Sequence, residues 1–399
     1  MRSIGVYLHI PFCVQKCAYC DFLSGPATKQ RQKEYVESLL REIAWESKYY
    51  TEYKIQTIFF GGGTPSILEA EEIAKILDCV REYYQIDAKA EVTLEMNPGT
   101  AEWDKLLKLK KAGINRLSIG LQSADNAELK MLGRIHTYED FQRTYYQARE
   151  AGFANINIDL MSALPGQHMD RWIQTLEKVL VLRPEHLSAY SLIIEEGTRL
   201  YENRDAWASV PDEDEDRQMY QETKRILAKH GYHRYEISNY AQIGYECRHN
   251  KIYWQRGVWH TADFVGFGLG ASSTVGNWRW ENTVDMEWYL SVFQKQKIKQ
   301  YDSRLTDSYS GKVCVKEAVT TLSFEQQMEE FMFLGLRMME GISKREFADS
   351  FGVNIDDVYK NELQKWLQMG MMVQKGDMVM LTNAGIDVSN TVLSSFILV

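Results

Sequence analysis

Through the first half of the chain, short β-rich runs give way again and again to amphipathic stretches. The runs are Ile4–His9, Ile55–Phe60, Glu91–Glu95, Arg116–Gly120, Asn155–Met161 and His186–Ile194. Between them lie Gln32–Tyr49, Glu69–Tyr84, Ala101–Ala112, Tyr138–Ala151 and Asp170–Val181. Strands alternating with single helices predict parallel βαβ units. Glycine or proline punctuates the junctions at Gly61–Gly63, Pro98-Gly99, Gly113, Gly152 and Pro165-Gly166. Six such units fall short of the eight that close a complete barrel, so the expected fold is α/β, an open partial (βα)6 TIM-like barrel. An open barrel has a wide mouth at the C-terminal ends of its strands, and chemistry is expected on the loops there.

The pattern changes after about Ile194. Asp212, Glu213, Asp214, Glu215 and Asp216 form an acidic run at the head of a predicted helix reaching Lys229, where negative charge complements the helix dipole. An aromatic, glycine-rich region follows from Tyr232 to Trp280. Beyond Tyr301 the pattern predicts three helices, two short strands around Met371–Val373 and Met378–Leu381, and a terminal helix. That order suggests a small winged-helix-like α+β domain. The expected division is 1–200 for the partial barrel, 201–300 for a region completing the barrel side, and 301–399 for the C-terminal domain. Lys344, Arg345 and Lys365 are diluted by Glu340, Glu346, Asp349, Asp356, Asp357 and Glu362, so a packing or partner-docking module is expected. With 46 basic and 55 acidic side chains the net charge is −9, which argues against a nucleic-acid partner. No apolar stretch approaches the roughly 20 residues of a transmembrane segment, and the N-terminus does not read as a signal peptide. The expected location is the cytoplasm, where thiols stay reduced.

Three of the six cysteines fall within eight residues, in Pro11-Phe12-Cys13-Val14-Gln15-Lys16-Cys17-Ala18-Tyr19-Cys20-Asp21-Phe22. This C-x3-C-x2-C spacing lies on the loop after the first strand. Three thiolates on one tight loop can bind three corners of a cubane 4Fe-4S cluster, leaving the fourth iron open. A zinc site is the alternative, with His9 as a fourth ligand. Cys79 and Cys314 read as packing residues. The Cys13/Cys17/Cys20 motif at the mouth of the first βα unit resembles the hallmark of the radical S-adenosylmethionine superfamily. The resemblance implies that S-adenosyl-L-methionine chelates the open iron through its amino and carboxylate groups. It further implies that reducing the cluster cleaves the sulfonium to a 5′-deoxyadenosyl radical.

Other barrel loops carry polar residues at strand ends. Gly61-Gly62-Gly63-Thr64-Pro65 follows the second strand, Glu95 ends the third, Gln122 ends the fourth, Arg134 follows it, and Asp159 lies in the fifth. The strand ends of a barrel converge on one site. These segments are similar to the oxygen-independent coproporphyrinogen III oxidase family. That resemblance implies that Tyr7, Gly62 and Glu95 meet the methionine end of the cofactor. It implies that Gly63, Thr64, Gln122, Arg134 and Asp159 line the nucleotide site, and Tyr19 is counted with the cofactor-binding residues.

Two features depart from the oxidase pattern. The oxidases carry a further cysteine two residues after the third cluster ligand, where this chain has Phe22. They also carry an extension ahead of the first strand, which here starts at about Ile4. A different signal stands in His249-Asn250-Lys251-Ile252-Tyr253-Trp254, with Tyr235-Glu236-Ile237-Ser238-Asn239-Tyr240, Cys247 and Arg248 upstream. An imidazole can ligate haem iron, and Tyr253 and Trp254 can pack a porphyrin face. Gly266-Phe267-Gly268-Leu269-Gly270-Ala271 would let a flat ligand approach closely. Together these segments resemble the HemW branch, a group of haem chaperones. The resemblance implies a chaperone that binds haem near His249 and passes it to an acceptor protein, with cluster and S-adenosylmethionine retained and an electron donor left unspecified. The alternative is a radical oxidoreductase of the coproporphyrinogen oxidase type in porphyrin biosynthesis. A third is a cluster-bearing structural relative with neither role.

Overall fold

A computed structural model describes residues 1–257, 263–293 and 315–398. Cys314 and the boundary drawn at 300/301 lie outside the described residues. The six expected strands are β1 (Arg2–Ile10), β2 (Tyr53–Gly62), β3 (Gln85–Met96), β4 (Arg116–Gln122), β5 (Ile156–Ser162) and β6 (His186–Ser191). They pair in parallel in sequence order. The helices crossing between them are α1 (Lys29–Glu46), α2 (Ala70–Tyr83), α3 (Trp103–Ala112), α4 (Asn126–Met131), α5 (Tyr138–Glu150) and α6 (Met169–Leu180). Thr28 caps α1, and Thr137 with Asp140 forms a capping box on α5, each satisfying amides that a helix start leaves bare.

Two-residue alternation decides what faces where. Ile4, Val6, Leu8 and Ile10 of β1 are buried in the main core with Leu39 and Ile43 of α1. The alternate residues Gly5, Tyr7 and His9 point into the barrel, as do Thr57 and Phe59 of β2 and Glu91, Thr93 and Glu95 of β3. The barrel wall is therefore apolar outside, under the helices, and polar inside.

The sheet runs past both ends of this set. β7 (His233–Arg234) and β8 (Asn239–Ala241) add antiparallel beyond β6. β9 (Phe264–Phe267) adds parallel to β1, and β10 (Ser272–Val275), β11 (Trp278–Asn282) and β12 (Lys316–Thr321) continue antiparallel. The twelve-stranded order is β12-β11-β10-β9-β1-β2-β3-β4-β5-β6-β8-β7, and β12 and β7 are not joined, so the barrel is open. Helix Glu213–Lys229 begins on the acidic run, and Asp212 accepts from Glu215 N at 2.9 Å. Strands β7 to β12 and helix α4 are not among the elements expected from the sequence.

The C-terminal unit runs helix Phe324–Gly335, β13 (Ile342–Ser343), helices Lys344–Phe351 and Lys360–Gln368, then the hairpin of β14 (Met372–Lys375) and β15 (Met378–Leu381). Its sheet order is β13-β15-β14, a winged-helix arrangement around a core including Phe331, Phe347, Tyr359, Trp366 and Phe396. Buried Glu330 ties it to the barrel, holding Arg256 at 2.6 Å and Arg279 at 2.7 Å.

Candidate functional site

The cysteine loop is fixed by backbone bonds on both flanks. Cys13 N donates to Gly25 O at 2.9 Å and Gly25 N to Pro11 O at 3.1 Å. Ala18 N donates to Leu132 O at 2.9 Å, and Ala18 O accepts from Leu200 N at 2.8 Å. The loop's shape therefore does not depend on its thiols. Two side-chain donors reach the sulfurs: Thr64 Oγ1 lies 3.5 Å from Cys13 Sγ, and Arg134 Nη1 lies 3.4 Å from Cys17 Sγ. His9 is not available to a metal. Its Nε2 donates to Leu23 O at 3.0 Å, so its Nδ1 accepts from Tyr7 OH at 3.0 Å, and burial keeps the ring neutral by lowering its pKa. Among the described residues no three His, Cys, Asp or Glu side chains converge on one metal-ion position. In a cubane each thiolate binds a different iron, so three thiolates need not converge on one position.

The β2 loop comes close to this region only because it lacks side chains. A Cβ on Gly63 would stand 2.6 Å from Phe12 O and 3.0 Å from Cys13 Sγ. The Gly63→Ala variant is expected to push the cysteine loop outward and retain less than about half the wild-type iron after anaerobic reconstitution, read by iron and sulfide analysis. Gly62, at φ +109°, places its N–H 3.2 Å from Glu95 Oε2.

Glu95 and Asp159 are the pocket's buried carboxyls. Burial, reinforced by the negative charge of Asp159, pushes the Glu95 carboxyl up to about 8. Burial likewise raises Asp159, although Asn157 Nδ2 at 2.7 Å and Ser118 Oγ at 3.0 Å donate to it. Tyr7 is also raised, by burial and then by Glu95. Among the described residues neither carboxyl is held in a salt bridge, and although the buried Arg116 charge favours both carboxylates, burial outweighs it; a positively charged ligand would complete such a pocket. A sulfonium or an amino group has that charge, so the residues present suit S-adenosylmethionine. Arg134 is engaged elsewhere: its Nη2 donates to Asn97 Oδ1 at 2.7 Å and Gly120 O at 2.5 Å, and it also bonds Tyr19. Gln122 sits at the rim with φ +73°, a left-handed conformation uncommon outside glycine. Tyr7, Tyr19, Gly62, Gly63, Thr64, Glu95, Gln122, Arg134 and Asp159 thus gather around the upper barrel with the three cysteines. Asn97 joins them unanticipated; its position just before Pro98-Gly99, directly past a strand end, was the available signal.

His249 lies on the other side of the same interior. The motif helix Arg248–Trp254 plugs the lower barrel, and Glu91 of β3 anchors its first turn. The two Glu91 oxygens accept from His249 N at 3.1 Å and Arg248 N at 3.2 Å. Buried Cys247 places its Sγ 3.6 Å from Glu91 Oε1, the setting of a structural thiol. The His249 ring is 1 % exposed. Its Nδ1 lies 2.7 Å from Thr57 Oγ1 and its Nε2 2.8 Å from Tyr253 OH. Burial, aided by the Arg116 charge, pushes its pKa down to about 3, so one neutral ring engages both partners. Phe59 stacks between this ring at 5.0 Å and Tyr7 at 6.3 Å. Trp254 lies under the Arg337 guanidinium at 4.3 Å, occupied by the protein itself. The 266–271 glycine run corrects a sequence expectation. Its space is filled by the chain: a Cβ on Gly268 would meet Tyr35 Oη, and one on Gly270 would meet Leu23, so no open cradle for a flat ligand exists there.

The arrangement is that of a radical S-adenosylmethionine protein. The Radical SAM superfamily model matches residues 7–179, and the HemN C-terminal domain model matches 322–388. "Heme chaperone HemW" of Lactococcus lactis is 33% identical over 99% of this chain and 97% of its own length. "Heme chaperone HemW" of Bacillus subtilis is 34% identical over 98% of this chain and 99% of its own length. The structure of the Escherichia coli coproporphyrinogen III oxidase HemN superposes with a TM-score of 0.82 at 22% identity, covering 99% of this chain and 90% of that one. The chain belongs to the HemW family. Among the described residues no helix is long and apolar enough to cross a membrane.

Proposed function

We propose that this protein is a cytoplasmic haem chaperone, binding haem and handing it to an acceptor protein, and that it carries a 4Fe-4S cluster with S-adenosylmethionine. The observation that carries the reading is the seating of the His249-Asn250-x-x-Tyr253-Trp254 helix inside the barrel, in ring contact with Tyr7 through Phe59. The full-length likeness to relatives named as haem chaperones supports it. Cys13, Cys17 and Cys20 would hold the cluster. Tyr7, Gly62 and Glu95 would receive the cationic end of the cofactor, with Tyr19, Gly63, Thr64, Gln122, Arg134 and Asp159 around the remainder. The bound cluster and cofactor together supply a reducible sulfonium. Glu95 neutralises a cation in a site shielded from water, and Gly62 N–H orients the carboxylate that does so.

Haem iron reaches His249 Nε2 only after Tyr253 gives it up. Haem titration therefore tests the reading. Binding near one haem per chain is expected, with a histidine-type Soret band. His249→Ala should lose that band and weaken affinity by about tenfold or more. Tyr253→Phe removes a hydrogen bond worth roughly 1 kcal/mol that competes with iron, so it should tighten binding by about fivefold. An unchanged Soret band in His249→Ala would remove the histidine from the site. Phe22, standing where the oxidases carry a cysteine, is 62 % exposed on the cysteine loop. Coproporphyrinogen III supplied with S-adenosylmethionine and a reductant should therefore stay unconverted, and protoporphyrinogen formation would restore the oxidase reading.

A further inference from the structure

Thr64 and Arg134 come from different loops, yet each donates to a different thiol of the cysteine motif. One side chain joins them. Asn97, on the loop after β3, donates from Nδ2 to Thr64 Oγ1 at 2.9 Å and accepts at Oδ1 from Arg134 Nη2 at 2.7 Å. Because the amide fills Thr64's acceptor side, the hydroxyl hydrogen remains for Cys13. Because the carbonyl takes Nη2, the guanidinium is held with Nη1 toward Cys17. The Asn97 backbone is fixed by its own turn: its main-chain carbonyl accepts from Thr100 Oγ1 at 2.6 Å and Thr100 N at 3.2 Å. Thr100 Oγ1 also meets Ser66 Oγ at 2.6 Å, which ties the β3 loop to the β2 loop. Gly120 leaves the room: a Cβ there would lie 3.0 Å from Asn97 Oδ1 and 3.2 Å from Arg134 Nη2.

We propose that Asn97 is a positioning residue that aims Thr64 and Arg134 at the Cys13 and Cys17 sulfurs and thereby sets the reduction potential of the cluster they bind. Hydrogen bonds to cluster sulfurs withdraw electron density and favour the reduced state. The proposal rests on the reading that these cysteines hold a cluster. If that reading fails, the wild-type protein itself lacks iron. If this proposal fails, iron is present and the potential does not respond.

The test is an EPR-monitored redox titration of reconstituted protein without added S-adenosylmethionine, with iron and sulfide measured on each sample. Asn97→Ala frees both donors and should shift the one-electron reduction equilibrium about tenfold toward the oxidised cluster, ~59 mV. Asn97→Asp should shift it further in the same direction, because a carboxylate draws the Thr64 hydrogen away from Cys13 and adds negative charge. Thr64→Val should shift it in the same direction by less than Asn97→Ala. Unchanged midpoints in both Asn97 variants at full iron content would overturn the proposal. So would loss of iron from Asn97→Ala alongside an unshifted midpoint in Thr64→Val, which would place Asn97 in loop folding instead.

Discussion

Anaerobic reconstitution should load about four iron and four sulfide per chain, and a Cys13→Ala/Cys17→Ala/Cys20→Ala variant should load essentially none. The contrast should be clean because the loop does not need its thiols to hold its shape. The backbone bonds of Cys13 to Gly25 and of Ala18 to Leu132 and Leu200 remain in the variant. Its circular dichroism spectrum should match that of the metal-free wild type. Iron retained at wild-type level in the triple variant would remove these cysteines from the site. Zinc bound in place of iron under the same conditions would favour the other metal.

Glu95→Gln should weaken S-adenosylmethionine binding at pH 8 by about tenfold or more, measured by equilibrium dialysis on cluster-loaded protein. In the wild type affinity should rise as pH climbs toward and past 8, where the carboxyl becomes charged; in the variant this rise should vanish. Stability of the ligand-free protein should move the opposite way. A carboxyl whose folded pKa, about 8, exceeds its ordinary 4.5 holds an extra proton in the folded state between those values. Folding stability therefore falls as pH rises through that window. Glu95→Gln removes this contribution, so the ligand-free variant should melt about 2–5 °C above wild type at pH 8 and near it at pH 4.5. Glu42, pushed up to about 7 by burial, contributes a fall of the same sign in both proteins and cancels in the comparison. An equal difference at both pH values would show that the carboxyl does not titrate in that window.

The barrel was legible because its signal is periodic. All six parallel strands are present, and apart from the start of β3 they and their longer helices lie within a few residues of expectation, since the outward strand faces and the helix stripes must bury the same apolar surface. Element ends were less legible: β3 begins at Gln85, well before the expected Glu91, because its first residues pair with β2 across a register shift rather than through an apolar run. Strand β12 went unseen because most of its residues are exposed and carry no inward-facing stripe. The cysteine motif and strand-end carboxylates could be read from spacing. Phe59 and Thr57 could not, because their roles exist only where separate strands meet, and Asn97 offered only its place past a strand end. The 266–271 run misled for a related reason. Glycine in a sequence shows that something comes close, without saying whether it is a ligand or Tyr35 of the same chain.

The helix that carries the histidine motif also serves as the floor of the barrel. With both imidazole nitrogens committed to Thr57 and Tyr253, an iron atom that claimed one would do so by lifting that floor. Phe59 and Tyr7 would lose the ring that backs them, and water would gain a path toward Glu95 from below. A sealed chamber and a histidine open to iron are thus alternative states of one molecule. On the proposed reading, haem loading at His249 and chemistry beside Glu95 would therefore exclude one another.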